Sequence, residues 1–132
     1  MFIFGLVIFS NSLSAAGYGL DAQIQQALEY MENNYSNQID IERLADSVGV
    51  SRSYFATKFK AIVGVPPSAY LTATRLRHAK YYLENSNLPI QDIAEAVGFS
   101  DTYYFSRVFK KSEAVTPSEY RDLQRKNRNY IM

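Results

Sequence analysis

The sequence contains no cysteine and only one histidine, His78. Without cysteine there is no disulfide framework and no thiolate metal site, which is compatible with a reducing cytoplasm. A single imidazole on a helix is more often a surface or satisfied side chain than a catalytic group. The carboxylates lack the spacing of a paired acid–base site or a metal site, and no glycine-rich phosphate loop occurs. These absences argue against an enzyme, and we expect neither a metal nor a cofactor.

Basic residues do not precede the apolar run FIFGLVIF, which occupies residues 2–9. The run is too short for a membrane-spanning helix, which needs about 20 residues, and it lacks the basic start of a secretory signal. We therefore expect no membrane association and interpret residues 1–20 as the remnant of an upstream sensor domain. A surface segment without a role is the alternative.

The net charge of +1 is small, but the charges are distributed unevenly. Residues 51–80 contain six Lys or Arg and no acid, whereas residues 1–50 contain six acids and one Arg. A local positive stripe is what phosphate binding requires, whatever the total charge. With 132 residues, 47% of them hydrophobic, the chain is predicted to form one small domain or two subdomains.

The stretch SDTYYFSRVFKK, residues 100–111, has the pattern of an amphipathic helix. Phe105, Val108 and Phe109 have the spacing of a stripe that faces a core. The opposite face is polar and basic: Tyr103, Ser106, Arg107 and Lys110. We expect Ser100 to cap the helix start. An apolar-periodic run at residues 90–97 and Gly98 precede it, so the order helix, glycine turn, helix predicts a helix-turn-helix.

This pattern occurs twice in the chain. Four residues recur 49 positions later: Ala45, Val48, Gly49 and Ser51. Seven more recur 50 positions later: Phe55, Phe59, Lys60, Val65, Pro67, Ser68 and Tyr70. We place the one-residue change of offset in the first turn of the second helix. Two copies are too few for a solenoid, so they predict two helix-turn-helix units.

Both units resemble the DNA-binding domain of the AraC/XylS transcription regulators, in which a long helix joins two helix-turn-helix units. In the second unit the resemblance is carried by residues 90–99, 104–111, 116–117 and 120–121. In the first unit and the connector it is carried by Leu44, Ala45, Ser51, Phe59, Lys60, Gly64, Tyr70, Arg75, Leu76 and Ala79. It spans roughly residues 22–122.

The resemblance implies an all-α fold with a DNA-binding domain over residues 21–128. We expect about seven helices, with helix-turn-helix units at about 40–64 and 90–112 and a connector helix at about 67–84. At 1.5 Å per residue, the connector would be about 27 Å long. A rigid helix of that kind can fix the spacing of two recognition helices in major grooves about 34 Å apart.

The resemblance also implies double-stranded DNA as the partner, RNA polymerase as a further candidate partner, and an effector bound outside this segment. Arg107 is the first candidate for base reading, because it can donate two hydrogen bonds to guanine; a phosphate contact is its alternative. The further base-reading candidates are Thr102, Tyr103 and Ser106 in the second unit and Ser53, Ala56 and Thr57 in the first. The phosphate candidates are Arg52, Lys60, Lys110 and Lys111.

Several local expectations accompany these assignments. Asp21, Asp40 and Ser51 are expected as helix caps, and Thr116 with Glu119 as a capping box. Ile62 and Leu123 are expected to face inward. Lys58 stands where the second unit has Val108, so we expect its stem to lie on the core. Ala114 replaces the glycine found at Gly64; because a left-handed alanine is strained, we expect a different turn there.

We therefore interpret the chain as a sequence-specific, cytoplasmic DNA-binding transcription regulator, in a family whose members are usually activators. Two alternatives stay open. One is a helical protein-interaction module, which would present an apolar outer face on a recognition helix. The other is a truncated regulator without independent regulatory activity.

Overall fold

A computed structural model describes residues 21–131, and within this range the chain forms seven α-helices and no strand. The helices are α1 (Ala22–Asn34), α2 (Ile41–Ser47), α3 (Arg52–Val63), α4 (Pro67–Asn85), α5 (Ile90–Ala96), α6 (Thr102–Glu113) and α7 (Pro117–Ile131). The expected all-α fold is confirmed. The interpretation of residues 1–20 lies outside the described range. None of the described helices is long and apolar enough to cross a bilayer.

The helices divide into two compact units. The first contains residues 21–33 and 40–67, with α1, α2 and α3, and the second contains residues 34–39 and 68–131, with α4 to α7. The loop between α1 and α2 therefore packs with the second unit, although both of its flanking helices belong to the first.

The first unit buries one face of each of its helices. The buried apolar residues are Ile24, Ala27 and Met31 of α1, Leu44 and Ala45 of α2, and Phe55 and Phe59 of α3. The expected caps of α2 and α3 are confirmed: Asp40 accepts from the backbone N–H of Glu42 at 2.9 Å, and Ser51 from that of Tyr54 at 3.2 Å. Both bonds satisfy N–H groups that have no partner within the helix.

Lys58 is partly buried, and its ammonium lies 3.2 Å from the carboxylate of Asp21. The hydrogen bond to Asp21 raises the pKa of Lys58, although desolvation acts in the opposite direction. We expected the stem of Lys58 to lie on the core but did not predict its ion pair with Asp21. The backbone carbonyl of Asp21 accepts from the N–H of Gln25 at 2.9 Å, as the carbonyl of an N-cap residue does, and its carboxylate lies beside Lys58.

The second unit is organised around an aromatic and aliphatic cluster. Its buried members are Leu76, Ala79 and Leu83 of α4, Ile93 and Ala94 of α5, Val97, Phe99, and Phe105 and Phe109 of α6. Ring contacts join Phe99 to Phe105 (5.1 Å between centroids), Phe105 to Phe109 (5.8 Å) and Phe109 to Tyr120 (5.5 Å). The row of rings fixes α6 and α7 against one core, because each ring is packed on the next.

Helix α7 is bonded to the last turn of α4. Arg121 donates to the carbonyl of Leu83, Arg125 to that of Ser86 and Arg128 to that of Glu84. Carbonyls at a helix end lack partners within the helix, so cationic side chains satisfy them well. The expected capping box is confirmed, with bonds of 2.8 Å and 3.1 Å between Thr116 and Glu119. The basic end of α7 is thus used within the protein.

Two residues expected to face inward are instead exposed, namely Ile62 at 37% and Leu123 at 46%. In α3 the buried row continues at four-residue steps from Phe55 and Phe59 to the half-buried Val63, which leaves Ile62 beside it. In α7 the half-buried face is formed by Tyr120, Arg121 and Gln124. The periodic signal identified both helices correctly but placed the edge of each buried face wrongly.

The start of α6 differs from the expectation that Ser100 is its cap. Asp101, not Ser100, is its N-cap, and the Asp101 carboxylate accepts from the backbone N–H of Tyr103 at 2.9 Å. Ser51 and Asp101 are therefore equivalent caps 50 positions apart, while α2 and α5 stay 49 apart. The extra residue of the second unit lies in the turn before α6, not in its first helical turn.

The turn after α6 also differs from the expectation. Ala114 adopts a left-handed conformation, with φ of 71°, as Gly64 does after α3 with φ of 99°. In both turns the N–H of the cap residue donates to the carbonyl four residues earlier. The distance is 2.8 Å from Ala114 to Lys110 and 2.9 Å from Gly64 to Lys60. Since the same closing bond forms, the strain of the alanine, about 1–2 kcal/mol, is tolerated and the turn keeps its shape.

Arg75 of α4 binds the loop at residues 34–39. Its guanidinium donates to the carbonyls of Tyr35 at 2.7 Å and Asn37 at 2.8 Å, and burial lowers its pKa. Gln38 donates to the carbonyl of Gly98 at 3.3 Å. His78 is stacked on the Tyr35 ring with 3.9 Å between centroids, which agrees with a structural histidine. These contacts tie the loop to the turn before α6.

We predict that Gly98→Ala destabilises the protein much more than Gly49→Ala. Both glycines have positive φ, 104° and 83°, but a Cβ on Gly98 would lie 2.7 Å from Nε of Arg75 and 2.8 Å from the Tyr35 carbonyl oxygen, and one on Gly49 meets nothing within 4 Å. We expect about 1–2 kcal/mol for Gly49→Ala and about 1–3 kcal/mol more for Gly98→Ala. Urea unfolding measures both, and equal losses would contradict the close approach at Gly98.

We also predict that Asp101→Ala costs about 1 kcal/mol of unfolding free energy, whereas Ser100→Ala changes it by less than about 0.5 kcal/mol. The reason is that only the Asp101 carboxylate accepts a backbone N–H of α6 in this turn. Thermal unfolding of the two variants under identical conditions measures the difference. A larger loss for Ser100→Ala would restore the original cap assignment.

Candidate nucleic-acid interface

Helix α6 has one buried aromatic face and one polar, largely exposed face. Phe105 and Phe109 are fully buried, and this fixes the rotation of the helix about its axis. Tyr103 (79% exposed), Arg107, Lys110 and Lys111 are exposed, and Thr102 and Ser106 are partly exposed. All six base-reading and phosphate candidates predicted for this helix are therefore accessible, and three of them are cations.

Arg107 is the central cation of this face. Its guanidinium carbon lies 5.7 Å from the centre of the Tyr104 ring, within the distance of a cation–π contact. Tyr104 is 48% exposed and in turn contacts the buried Phe99 ring, with 6.1 Å between centroids. Arg107 is thus an exposed arginine whose guanidinium lies near an aromatic ring.

Lys110 and Lys111 stand in the last turn of α6. Cations at this end of a helix are favoured by the backbone dipole, which supplies a purely structural reason for their presence. Both are nevertheless exposed, and they extend the positive charge of Arg107 along the helix. The arrangement can contact successive anionic groups with little rearrangement of the protein.

Helix α3 presents the equivalent face in the first unit. Arg52, Ser53, Thr57 and Lys60 are exposed, and Ala56 is partly exposed. Tyr54, which was not among the predicted site residues, is 52% exposed and occupies the position equivalent to Tyr104. The signal that could have found it was the 50-residue offset itself, which pairs the two tyrosines. The base-reading candidates of α3 all have short side chains, whereas those of α6 include Tyr103 and Arg107.

A groove of about 380 Å³ in the second unit lies beside the start of α6. Its lining is mostly polar and includes Ser36, Gln38, Gln91, Glu95, Ser100 and Thr102. Within residues 21–131, the structure contains no group of three or more His, Asp or Glu side chains able to hold a metal ion. The groove and the exposed face of α6 thus provide hydrogen-bonding groups and positive charge.

Comparison with known proteins agrees with this geometry. A protein-family profile described as a helix-turn-helix domain matches residues 44–123. The raffinose operon transcriptional regulatory protein RafR of Pediococcus pentosaceus is 39% identical over 99 residues, covering 75% of this chain and 36% of that protein. The lactose operon transcription activator of Staphylococcus xylosus is 36% identical over 102 residues, covering 77% of this chain and 37% of that protein.

Solved structures give the same result for the fold. The C-terminal domain of AraT, a response regulator from Geobacillus stearothermophilus, superposes with a TM-score of 0.76 at 32% identity, covering 79% of this chain and 87% of that one. The DNA-binding domain of AdpA, solved with a target DNA, has a TM-score of 0.78 at 24% identity. The superposition covers 81% of this chain and 96% of that one.

The chain spans about a third of the length of the two operon regulators, 36% and 37%. The match to the helix-turn-helix profile covers the part of the chain that contains α3 to α6. Tandem helix-turn-helix units, the family profile and the similarity to operon regulators agree with one another. The chain belongs to the AraC/XylS family of helix-turn-helix transcription regulators.

Proposed function

We propose that this chain binds a specific double-stranded DNA sequence and regulates transcription, as an activator. The observation that carries the proposal is the face of α6, on which Tyr103, Arg107, Lys110 and Lys111 are exposed while Phe105 and Phe109 hold the opposite side in the core. A major groove admits one α-helix, and a helix with this polarity fits the groove and the phosphates that flank it.

On α6, Arg107 reads a guanine through O6 and N7, and Thr102, Tyr103 and Ser106 contact neighbouring bases. The Tyr103 ring, which is well exposed, packs on a thymine methyl or a sugar. A bidentate arginine discriminates its guanine from other bases by about 1–3 kcal/mol. This half of the protein therefore supplies the stronger base preference.

On α3, Ser53, Ala56 and Thr57 form a smaller contact surface. The methyl groups of Ala56 and Thr57 suit thymine methyls, and the Ser53 hydroxyl can bond to several bases. Arg52 and Lys60 on this helix, with Lys110 and Lys111 on α6, neutralise phosphates. Such contacts contribute affinity without sequence preference and make binding dependent on salt.

The names of the relatives support regulation and activation, since one is an operon regulatory protein and another an operon transcription activator. We extend the proposal to a cytoplasmic location, to RNA polymerase as a further partner, and to an effector that binds outside this segment. The proposal includes no catalytic step. The outer faces of α3 and α6 are polar or basic, which disfavours a purely apolar protein-docking role.

We predict that selection of bound duplexes from random DNA enriches a motif with two elements about one helical turn apart. Arg107→Ala should lose preference chiefly at one base pair within one element, by about 5- to 150-fold, because a bidentate contact is removed. Lys110→Ala is the matched control: it should weaken binding at all sequences and reduce the log–log salt slope by about 0.9.

Uniform weakening by Arg107→Ala at every position would instead make that residue a phosphate contact. A wild-type protein that enriched no motif would refute specific DNA binding altogether. A promoter–reporter assay with the same operator then separates an active regulator from one that binds without regulating.

A further inference from the structure

The contact between Tyr104 and Arg107 has a consequence for base reading. An exposed arginine on a helix has many rotamers, and ordering it upon binding costs side-chain entropy. An aromatic ring under the guanidinium restricts those rotamers, and the 5.7 Å separation here is within the range of that contact. The neighbouring tyrosine is therefore placed to limit the orientations of Arg107.

The Tyr104 ring is itself held in place. It lies 6.1 Å from the Phe99 ring, and Phe99 is buried and packed 5.1 Å from Phe105. The guanidinium of Arg75 lies over Phe99, 5.8 Å from its centroid, while it donates to the Tyr35 and Asn37 carbonyls. The ring under Arg107 is therefore packed against the core of the second unit.

The equivalent tyrosine of the first unit differs in the cation that it faces. Tyr54 lies 5.5 Å from the ammonium of Lys58, but that ammonium also lies 3.2 Å from the Asp21 carboxylate, which neutralises it. Lys58 is one residue beyond Thr57, the position equivalent to Arg107. The first unit therefore has a similar tyrosine whose facing cation is paired with a carboxylate and does not occupy the position of Arg107, which makes Tyr54 a matched control.

We propose that Tyr104 is a positioning residue for base recognition: its ring holds the Arg107 guanidinium in the orientation in which it donates two bonds to a guanine. This inference rests on the proposed function. A phosphate accepts a guanidinium from many directions, whereas the paired acceptors of guanine require one plane. Support by a ring therefore matters for discrimination at one base pair and little for overall affinity.

Measured discrimination at the base pair read by Arg107 tests the proposal. Tyr104→Leu should lower it about two- to fivefold, as expected for removal of an exposed cation–π contact, and leave the other positions and the salt slope unchanged. Tyr104→Phe keeps the ring and should retain wild-type discrimination. Tyr54→Leu should not change the preference at that base pair.

A measurement on the free protein is independent of DNA. Stacking on a ring displaces the proton resonances of the arginine side chain upfield, so the Hδ and Hε signals of Arg107 should be displaced relative to those of the exposed Arg52. The displacement should vanish in Tyr104→Leu and persist in Tyr104→Phe, provided that thermal unfolding shows each variant to be folded.

The outcomes separate the two ideas. If Arg107→Ala abolishes preference at one base pair but Tyr104→Leu retains it, the positioning role is refuted while specific DNA binding stands. Loss at all positions together with a lower melting temperature would refute it too, since that is the result of a merely structural tyrosine. If the wild type prefers no sequence, the proposed function fails and the positioning role fails with it.

Discussion

Two pairs of buried phenylalanines determine which residues of α3 and α6 point outward. Phe55 with Phe59 and Phe105 with Phe109 lie one helical turn apart, with ring centroids 5.6 Å and 5.8 Å apart, and all four are fully buried. Because each pair fixes the rotation of its helix, the residues on the opposite face point outward. The outward residues differ between the two helices, although the buried phenylalanines recur.

The helices and their buried faces could be predicted from the sequence because apolar periodicity and repetition are local signals. The details that failed depend on the register of the repeat. Matching Ser51 to Ser100 by residue type placed the cap one position early, whereas the 50-residue offset of the phenylalanines points to Asp101. Likewise, Ala114 keeps the left-handed turn of Gly64, because the closing backbone bond matters more than the strain of one Cβ.

For the candidate site, the exposure of side chains could be predicted from the sequence, but their partners could not. The exposure of Arg107, Lys110 and Lys111 follows from helical period alone. The partners of charged side chains do not, since Arg75 with the loop carbonyls and Lys58 with Asp21 join residues 37 to 40 positions apart. Bonds from a side chain to a distant backbone carbonyl leave no pattern in the sequence, and only coordinates reveal which cations are already engaged.

Helices α3 and α6 differ in what holds the cation nearest the tyrosine. In α3, the cation nearest the tyrosine is paired with a carboxylate, and the outward residues Ser53, Ala56 and Thr57 are short. In α6, the cation nearest the equivalent tyrosine is Arg107, which stands at the position of Thr57, is exposed and lies 5.7 Å from the Tyr104 ring. Two parallel bonds to a guanine discriminate by about 1–3 kcal/mol, whereas methyl and hydroxyl contacts tolerate several bases. Under the proposed function, the second unit therefore supplies the stronger base preference, and the first unit supplies the weaker one.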